Sequence, residues 1–494
     1  MLRRHFLRNL GLLSAATTIP ATVIKAAEPQ FVYGLGQLLI KGRVASGAKG
    51  ISGVAVTDGV NVVLTNSNGS YELTSNKSCR FVYISLPSGY EFPHENSVAK
   101  FYQKIDPSKS TFIANFNLTE LSQSDEKHTF VVWADPQIQS KHDAELLLAN
   151  SAPDLKALVE NYRGQLLHGI GCGDLVWDNF NLFPDYQKAI AMSGLPFFNV
   201  IGNHDMDLEA RTDEGSSDTF KDHFGPTYYS YNRGKIHYVV LDDVFFLGVA
   251  KKYIGYLTES QLQWLEQDLK NVKEGSTVVV SLHIPTNTGQ LRRDKEKVDQ
   301  MGGTVINRQH LYNLLKPYRV HLMSGHTHFN EKWEDGNITE HVHGTVCGAW
   351  WTGQICGDGT PNGYGVYEVS GNDVKWYYKA TGHPKNYQLK IYSPGKHKEY
   401  PDEACINVWN YDKNWKIECF ADGNSIGAPI QKTAYDPLAA ETLLGADIPK
   451  PRGWVEPLLT DHLFFIKVPA GTKSLKVNAT DRFGETFTDT LGLA

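Results

Sequence analysis

The chain has 494 residues, too many for one hydrophobic core, with 41% hydrophobic and 21% charged residues, so roughly two to four domains are expected. The net charge of −6 excludes a surface that is basic throughout, and no long nucleic acid is expected as a partner.

Residues 1–27 read as an export signal. Arg3, Arg4 and Arg8 come first, then a short apolar stretch, then small residues near Ala26, which is the charge, apolar, small order of exported proteins. The run "RRHFL" resembles a twin-arginine motif, so a bacterial, periplasmic location is expected. The apolar stretch is diluted by Ser14, Thr17, Thr18 and Pro20. No stretch reaches the roughly 18 apolar residues of a membrane span. Among the six cysteines none forms a CxxC pair. Export permits disulfides, and Cys347–Cys356 and Cys405–Cys419 are locally plausible pairs, with six free thiols the alternative.

Residues 28–122 alternate apolar and polar positions, and Asp58-Gly59 and Asn68-Gly69 punctuate them as turns. This predicts a small β-sandwich with a positioning role, similar to prealbumin-like modules. Over 123–370 the pattern changes to short apolar strands ("FVVWAD", "GIGCGD", "FFNVIGN", "HYVVLD", "TVVVSLH", "HLMSGH") separated by helical stretches such as "KHDAELLLANSAPDLKALVENY" and "ESQLQWLEQDLKNV". Strands spaced by helices predict an α/β layered core. Helical periodicity fades over 371–494, where a second β-rich domain is expected.

The strand ends carry the chemistry. "FVVWAD" delivers Asp135, which Pro136 separates from Gln137, because proline cannot continue a central ladder. "GIGCGD" ends in Asp174; "NVIGNHD" presents Asn203, His204 and Asp205; "VSLH" ends in His283; "MSGHTH" presents His326 and His328. Ligands in α/β folds collect at the carboxyl ends of strands. Carboxylate, amide and imidazole together suit divalent transition metals, and the absence of thiolates argues against a structural zinc site. A carboxylate buried at a strand end is costly unless a cation neutralises it.

The ordered run "DPQ … GDLVWDN … GNHD … LHIP … GHTH" resembles the calcineurin-like metallophosphoesterase superfamily, in its bacterial exported form with accessory β domains. The resemblance covers about Thr129 to His328, with the core continuing to roughly Val369. It implies an α/β sandwich holding two divalent metal ions (Mn, Fe or Zn). Asp135 and His328 would hold the first, Asn203, His283 and His326 the second, and Asp174 would bridge them. His204 would stand beside the leaving-group oxygen as proton donor or charge stabiliser, oriented by Asp205. Gln137 takes the place of the family's usual His, which makes the first site richer in oxygen and favours Mn there. Trp177 stands where some purple acid phosphatases carry a Tyr, so no tyrosinate colour is expected.

The chemistry implied is hydrolysis of a small phosphate mono- or diester by water activated between two metals, without a covalent intermediate. A nuclease or nucleotide pyrophosphatase on the same site is the alternative, and a non-catalytic binding protein a third reading. Candidate substrate contacts are Trp177, Asp178 and Asn179 after Asp174, Trp350 and Trp351 in "GAWWTG", and the loop arginines Arg211, Arg292 and Arg293. The tryptophans could equally be core packing and the arginines solvated. The natural ester and the oligomeric state are not set by the sequence.

Overall fold

The computed structural model of the protein describes residues 36–293, 301–444 and 452–493. The expected export signal lies outside the described residues. Residues from Gln37 onward form one compact unit. Among the described residues no helix is long and apolar enough to cross a membrane.

Two mixed sheets make the core. The first runs, in spatial order, Asp373–Ala380, Gly363–Ser370, Lys127–Trp133, Leu166–Cys172, Phe197–Val200, Val98–Ala99 and His94–Glu95. Lys127–Trp133, Leu166–Cys172 and Phe197–Val200 are mutually parallel, which aims their carboxyl ends the same way. The second sheet runs Tyr229–Arg233, Ile236–Val240, Thr277–Ser281, Arg319–Ser324, Ile338–Val342 and Glu331–Asp335, and its four central strands are parallel.

The central strands are largely buried because both faces are covered, as expected for central parallel strands. Side chains alternate across a strand. Phe130 and Val132 join Ile170, Phe198, Tyr231, Tyr238 and Val279 in one cluster. Val131 and Trp133 point the other way, into a cluster with the helical residues Leu147, Leu155, Leu158, Tyr186, Trp264 and Leu265. Phe198 stacks on Tyr231 with ring centroids 3.7 Å apart, which ties the first sheet to the second. The stretch predicted as one helix from Lys141 is helical to Asn161, but residues Leu147–Ser151 widen into a π turn. Pro153 follows after Ala152; its ring cannot supply an N–H to the ladder and crowds the preceding turn.

Residues 37–117 build β-sheets whose core (Leu38, Ile40, Leu73, Val82) runs on into the cluster beneath the first core sheet. Val98–Ala99 pairs with Phe197 at the edge of that sheet. The C-terminal region forms two four-stranded sheets around Ile406, Ile417, Phe464, Leu475 and Val477. The expected division at residue 370 needs correcting. The strand Gly363–Ser370 pairs with Asp373–Ala380 in a hairpin that forms the outer edge of the core sheet, so 370 falls at the hairpin tip. Alternation alone does not tell a core edge hairpin from the sandwich strands that follow it. The six cysteines are free thiols. Cys405 and Cys419 lie on strands of different sheets, and Cys347 and Cys356 each lie within 3.6 Å of the Thr345 hydroxyl.

Candidate metal centre

The parallel strands bring their carboxyl-terminal loops to one place, and those loops carry the residues that the sequence singles out. One ligand atom from each of Asp174, His283 and His326 lies within 4.8 Å of the other two. Asn203 joins them: its Oδ1 is 3.1 Å from His283 Nε2. His283 Nδ1 donates to the Cys172 carbonyl at 3.0 Å, which aims Nε2 into the cluster, 3.3 Å from Asp174 Oδ1; burial opposes the imidazolium, but Asp174 and Asp135 outweigh it and push the His283 pKa up to about 10. A ligating imidazole is commonly held in this way by its other nitrogen. On the other side, His328 Nε2 lies 3.6 Å from Asp135 Oδ1. His326 and His328, two residues apart, thus reach different parts of the centre.

The backbone is bent to allow this. Asp135, Gln137, Asp174, His326 and His328 all have φ between 39° and 66°. Non-glycine residues rarely adopt the left-handed region, and concentrations of such strain mark functional sites. The neighbouring glycines are required by proximity. A Cβ on Gly202 would overlap the Asp174 carboxylate, and one on Gly325 would overlap that of Asp135.

Burial sets the electrostatics. Asp135 is fully buried, and burial with the charge of Asp174 pushes its pKa up. Burial also opposes ionisation of Asp174, but His283 and His204 outweigh it and hold its pKa low. Burial drives His326 and His328 down to about 3, keeping both imidazoles neutral and able to ligate. Gln137 donates from Nε2 to Asp174 Oδ2 at 2.6 Å, while its Oε1 is buried without a hydrogen-bond partner. An unpartnered buried acceptor is costly, and this one belongs to a side chain bonded to the Asp174 carboxylate of the cluster. That donor set fits divalent cations.

His204 does not join the ligand cluster through its ring. Its backbone N–H donates to Asp174 Oδ1 at 2.9 Å, and its Nδ1 is 2.8 Å from Asp178 Oδ1. The expected role of Asp205 is therefore corrected. Its carboxylate accepts from the backbone N–H groups of Leu175, Val176 and Gly202 at 3.1, 3.1 and 2.9 Å, so it fixes the two loops and Asp178 orients the imidazole. Burial disfavours the imidazolium, but Asp174, Asp178 and Asp205 outweigh it and raise the His204 pKa above its ordinary value.

Two of the three candidate arginines are engaged with acidic residues elsewhere. Arg292 pairs with Asp461, and buried Arg293 pairs with Glu331 and Asp461, so these cations are already neutralised. Arg211 is exposed on its loop. Asn179 donates to the Gln139 carbonyl at 3.1 Å. Trp177 lies beside the His204 ring, with centroids 5.3 Å apart. Trp350 stacks on His328 at 4.2 Å, and Trp351 donates from Nε1 to the Pro136 carbonyl at 2.9 Å.

Several neighbours were missed from the sequence. Asp243 accepts from the backbone N–H groups of His283 and Ile284 and so positions that ligand; its strand-end place in "VVLDD" was a usable signal. Lys251 Nζ lies 3.4 Å from Asp178 Oδ2, and the Tyr253 ring lies edge-on to His326 at 6.0 Å. Trp454 stands against both Trp177 and Trp350, and no local motif announces it.

Three family profiles match the chain in succession: "N terminal of Calcineurin-like phosphoesterase" at residues 38–121, "Calcineurin-like phosphoesterase" at 128–330, and "C terminal of Calcineurin-like phosphoesterase" at 340–487. The chain belongs to the calcineurin-like phosphoesterases. The family uses divalent metals at a dinuclear site, which accords with the cluster of Asp174, His283 and His326. Solved structures similar to this calcineurin-like phosphoesterase include PhoD, 10% identical, covering 89% of this chain and 85% of that one with a TM-score of 0.35. The purple acid phosphatase PPD1 of yellow lupin is 13% identical, covering 64% of this chain and 56% of its own, with a TM-score of 0.35. The 5'-nucleotidase of Candida albicans is 14% identical, covering 52% and 51%, with a TM-score of 0.32. The chain thus spans about half the length of the last two. No curated protein sequence matches.

Proposed function

We propose that this calcineurin-like phosphoesterase hydrolyses small phosphate esters, and that the residues gathered at its strand ends are its active site. The carrying observation is the ligand cluster of Asp174, His283 and His326 set beside the His204–Asp178 pair. Asp135, Gln137, Asp174 and His328 would hold one divalent cation, and Asn203, His283, His326 and the shared Asp174 the other. Bound there, the two cations supply Lewis acidity at phosphorus and bring the pKa of a water towards neutrality.

The protein's own groups do the rest. His204, tethered at Nδ1 by Asp178, offers Nε2–H towards the leaving oxygen. The raised His204 pKa favours the protonated ring that such donation needs. Asp205 and Asp243 hold the backbone of the ligand loops, which keeps the constellation within the tolerance that catalysis requires. The oxygen-rich first site favours Mn. The signal-like residues Arg3, Arg4 and Arg8 support an exported, periplasmic enzyme.

The test is turnover of p-nitrophenyl phosphate and its bis-ester by protein stripped with chelator and reloaded with Mn, Zn or Fe. Metal-dependent release of p-nitrophenol supports the reading. Failure to hydrolyse either ester in any metal form, with metal bound, would overturn it in favour of a binding protein.

A further inference from the structure

Among the described residues of the C-terminal domain, Trp454 reaches the candidate active site. Trp454 lies in a short turn with Arg452, and it is 52% exposed, more than any other tryptophan among the described residues. Its chain neighbours are firmly placed. Arg452 Nη2 donates to both oxygens of Asp143 at 2.9 and 2.7 Å, and Asp143 also caps the helix that starts at Lys141. Val455 is buried with Ala349, Ile355, Ala439 and Leu443, which packs the helix Pro437–Leu443 against the loop that carries Trp350. Leu458 N–H donates to the Gly357 carbonyl at 2.8 Å. A segment pinned this well has no packing need for an exposed indole, and leaving so large an apolar ring in water forgoes its burial.

The indole leans on two others. Its ring centroid lies 5.6 Å from that of Trp177, edge to face at 88°, and 4.8 Å from that of Trp350 at 63°. Trp177 sits 5.3 Å from His204, and Trp350 stacks at 4.2 Å on His328. Three tryptophans thus form a continuous aromatic wall from the proposed proton donor to a proposed ligand of the first metal. His204 marks the leaving-group side, so the wall stands where the organic part of the ester must lie.

We propose that Trp454 is a specificity-determining residue, contributed by the C-terminal domain, that stacks with Trp177 and Trp350 around a ring in the organic part of the phosphate ester. The inference rests on the phosphoesterase reading above and adds the class of substrate. An aromatic base offers such a wall its π face and a sugar ring offers the apolar C–H face of its chair, so either can stack on it. A ringless ester gains nothing from it.

The test compares kcat/KM for a 5'-nucleoside monophosphate, a hexose phosphate and glycerol phosphate in wild type, Trp454→Ala and Trp454→Tyr, each checked for melting temperature and metal content. In Trp454→Ala the ratio of the better ring-bearing ester to glycerol phosphate falls about tenfold, mainly through KM, and Trp454→Tyr restores most of it. Which of the two ring-bearing esters shows the loss separates base from sugar. An unchanged ratio in Trp454→Ala, or an equal loss on all three esters, overturns the inference while leaving phosphoester hydrolysis standing. Absence of turnover in the wild type on every ester removes the reading beneath it and the inference with it.

Discussion

Replacing Asp178 with Asn separates the two acidic partners that the sequence leaves indistinguishable around His204. The bond between Asp178 Oδ1 and His204 Nδ1 is 2.8 Å long, and the two side chains are only 16% and 22% exposed, so solvent screens it weakly. A hydrogen bond to a charged group contributes about 1.5–3 kcal/mol. If that orientation is realised in the transition state, its loss lowers the rate about 10- to 150-fold. The Asn also removes one of the charges that raise the His204 pKa, so the variant has less protonated donor at neutral pH.

The loss must therefore depend on the leaving group. An alkoxide needs the proton far more than p-nitrophenolate does, so kcat for an alkyl phosphate falls further than kcat for p-nitrophenyl phosphate. The assay is kcat on both esters at matched metal content. Asp205→Asn serves as the contrast. It disturbs three backbone hydrogen bonds that lock the loops and is expected to cost about 2 kcal/mol of stability or more, without the leaving-group dependence. Equal losses on both esters in Asp178→Asn, or the leaving-group dependence appearing in Asp205→Asn instead, would refute the assignment.

Asp174→Asn is expected to lower metal content at both sites together, because in the proposed arrangement one carboxylate would serve both. Elemental analysis showing one site still fully occupied would show that it does not bridge. Gln137→His should tighten the first site and shift its preference towards Zn or Fe, whereas Gln137→Ala should weaken it; metal titration of both variants decides, and unchanged affinity in both would leave the unpartnered Oε1 unexplained. Away from the site, burial holds His128 down to about 4. Between that value and the ordinary 6.5 the unfolded chain binds more protons than the folded one, so stability rises with pH across this window and is lost as pH falls through it. The loss is at most about 3 kcal/mol for this group, and His168 beside it acts in the same direction. Melting curves from pH 4 to 7 should flatten in His128→Gln, and an unchanged slope would place the acid sensitivity elsewhere.

What the sequence revealed and what it hid follow from one physical difference. Asp135, Asp174, Asn203, His283, His326 and His328 each sit within a few residues of a strand end. Strand and turn are local properties, so a buried apolar run followed by Gly, Pro or His is enough to place them. Even the strain at Asp135 and His328 is local, since a φ of 49° or 59° is set by the turn itself. The assignment of Asp205 over Asp178 failed for the opposite reason. Adjacency in sequence suggested that Asp205 faces its neighbour His204, but Asp205 folds under the turn to bind Leu175, Val176 and Gly202, and Asp178 crosses from another loop. The pairing of Arg292 and Arg293 was hidden because their partners Asp461 and Glu331 come from distant strands. Trp454 is the extreme case. It meets Trp177 at a chain separation of 277 positions, and the docking of Arg452 on Asp143 and of Val455 on the Ala349–Ile355 loop holds it there. Chemistry that needs fixed ligands is written in strand ends and is legible locally. Selection among substrates is built where domains meet, and in this chain that surface is made by contacts that no single stretch of sequence contains.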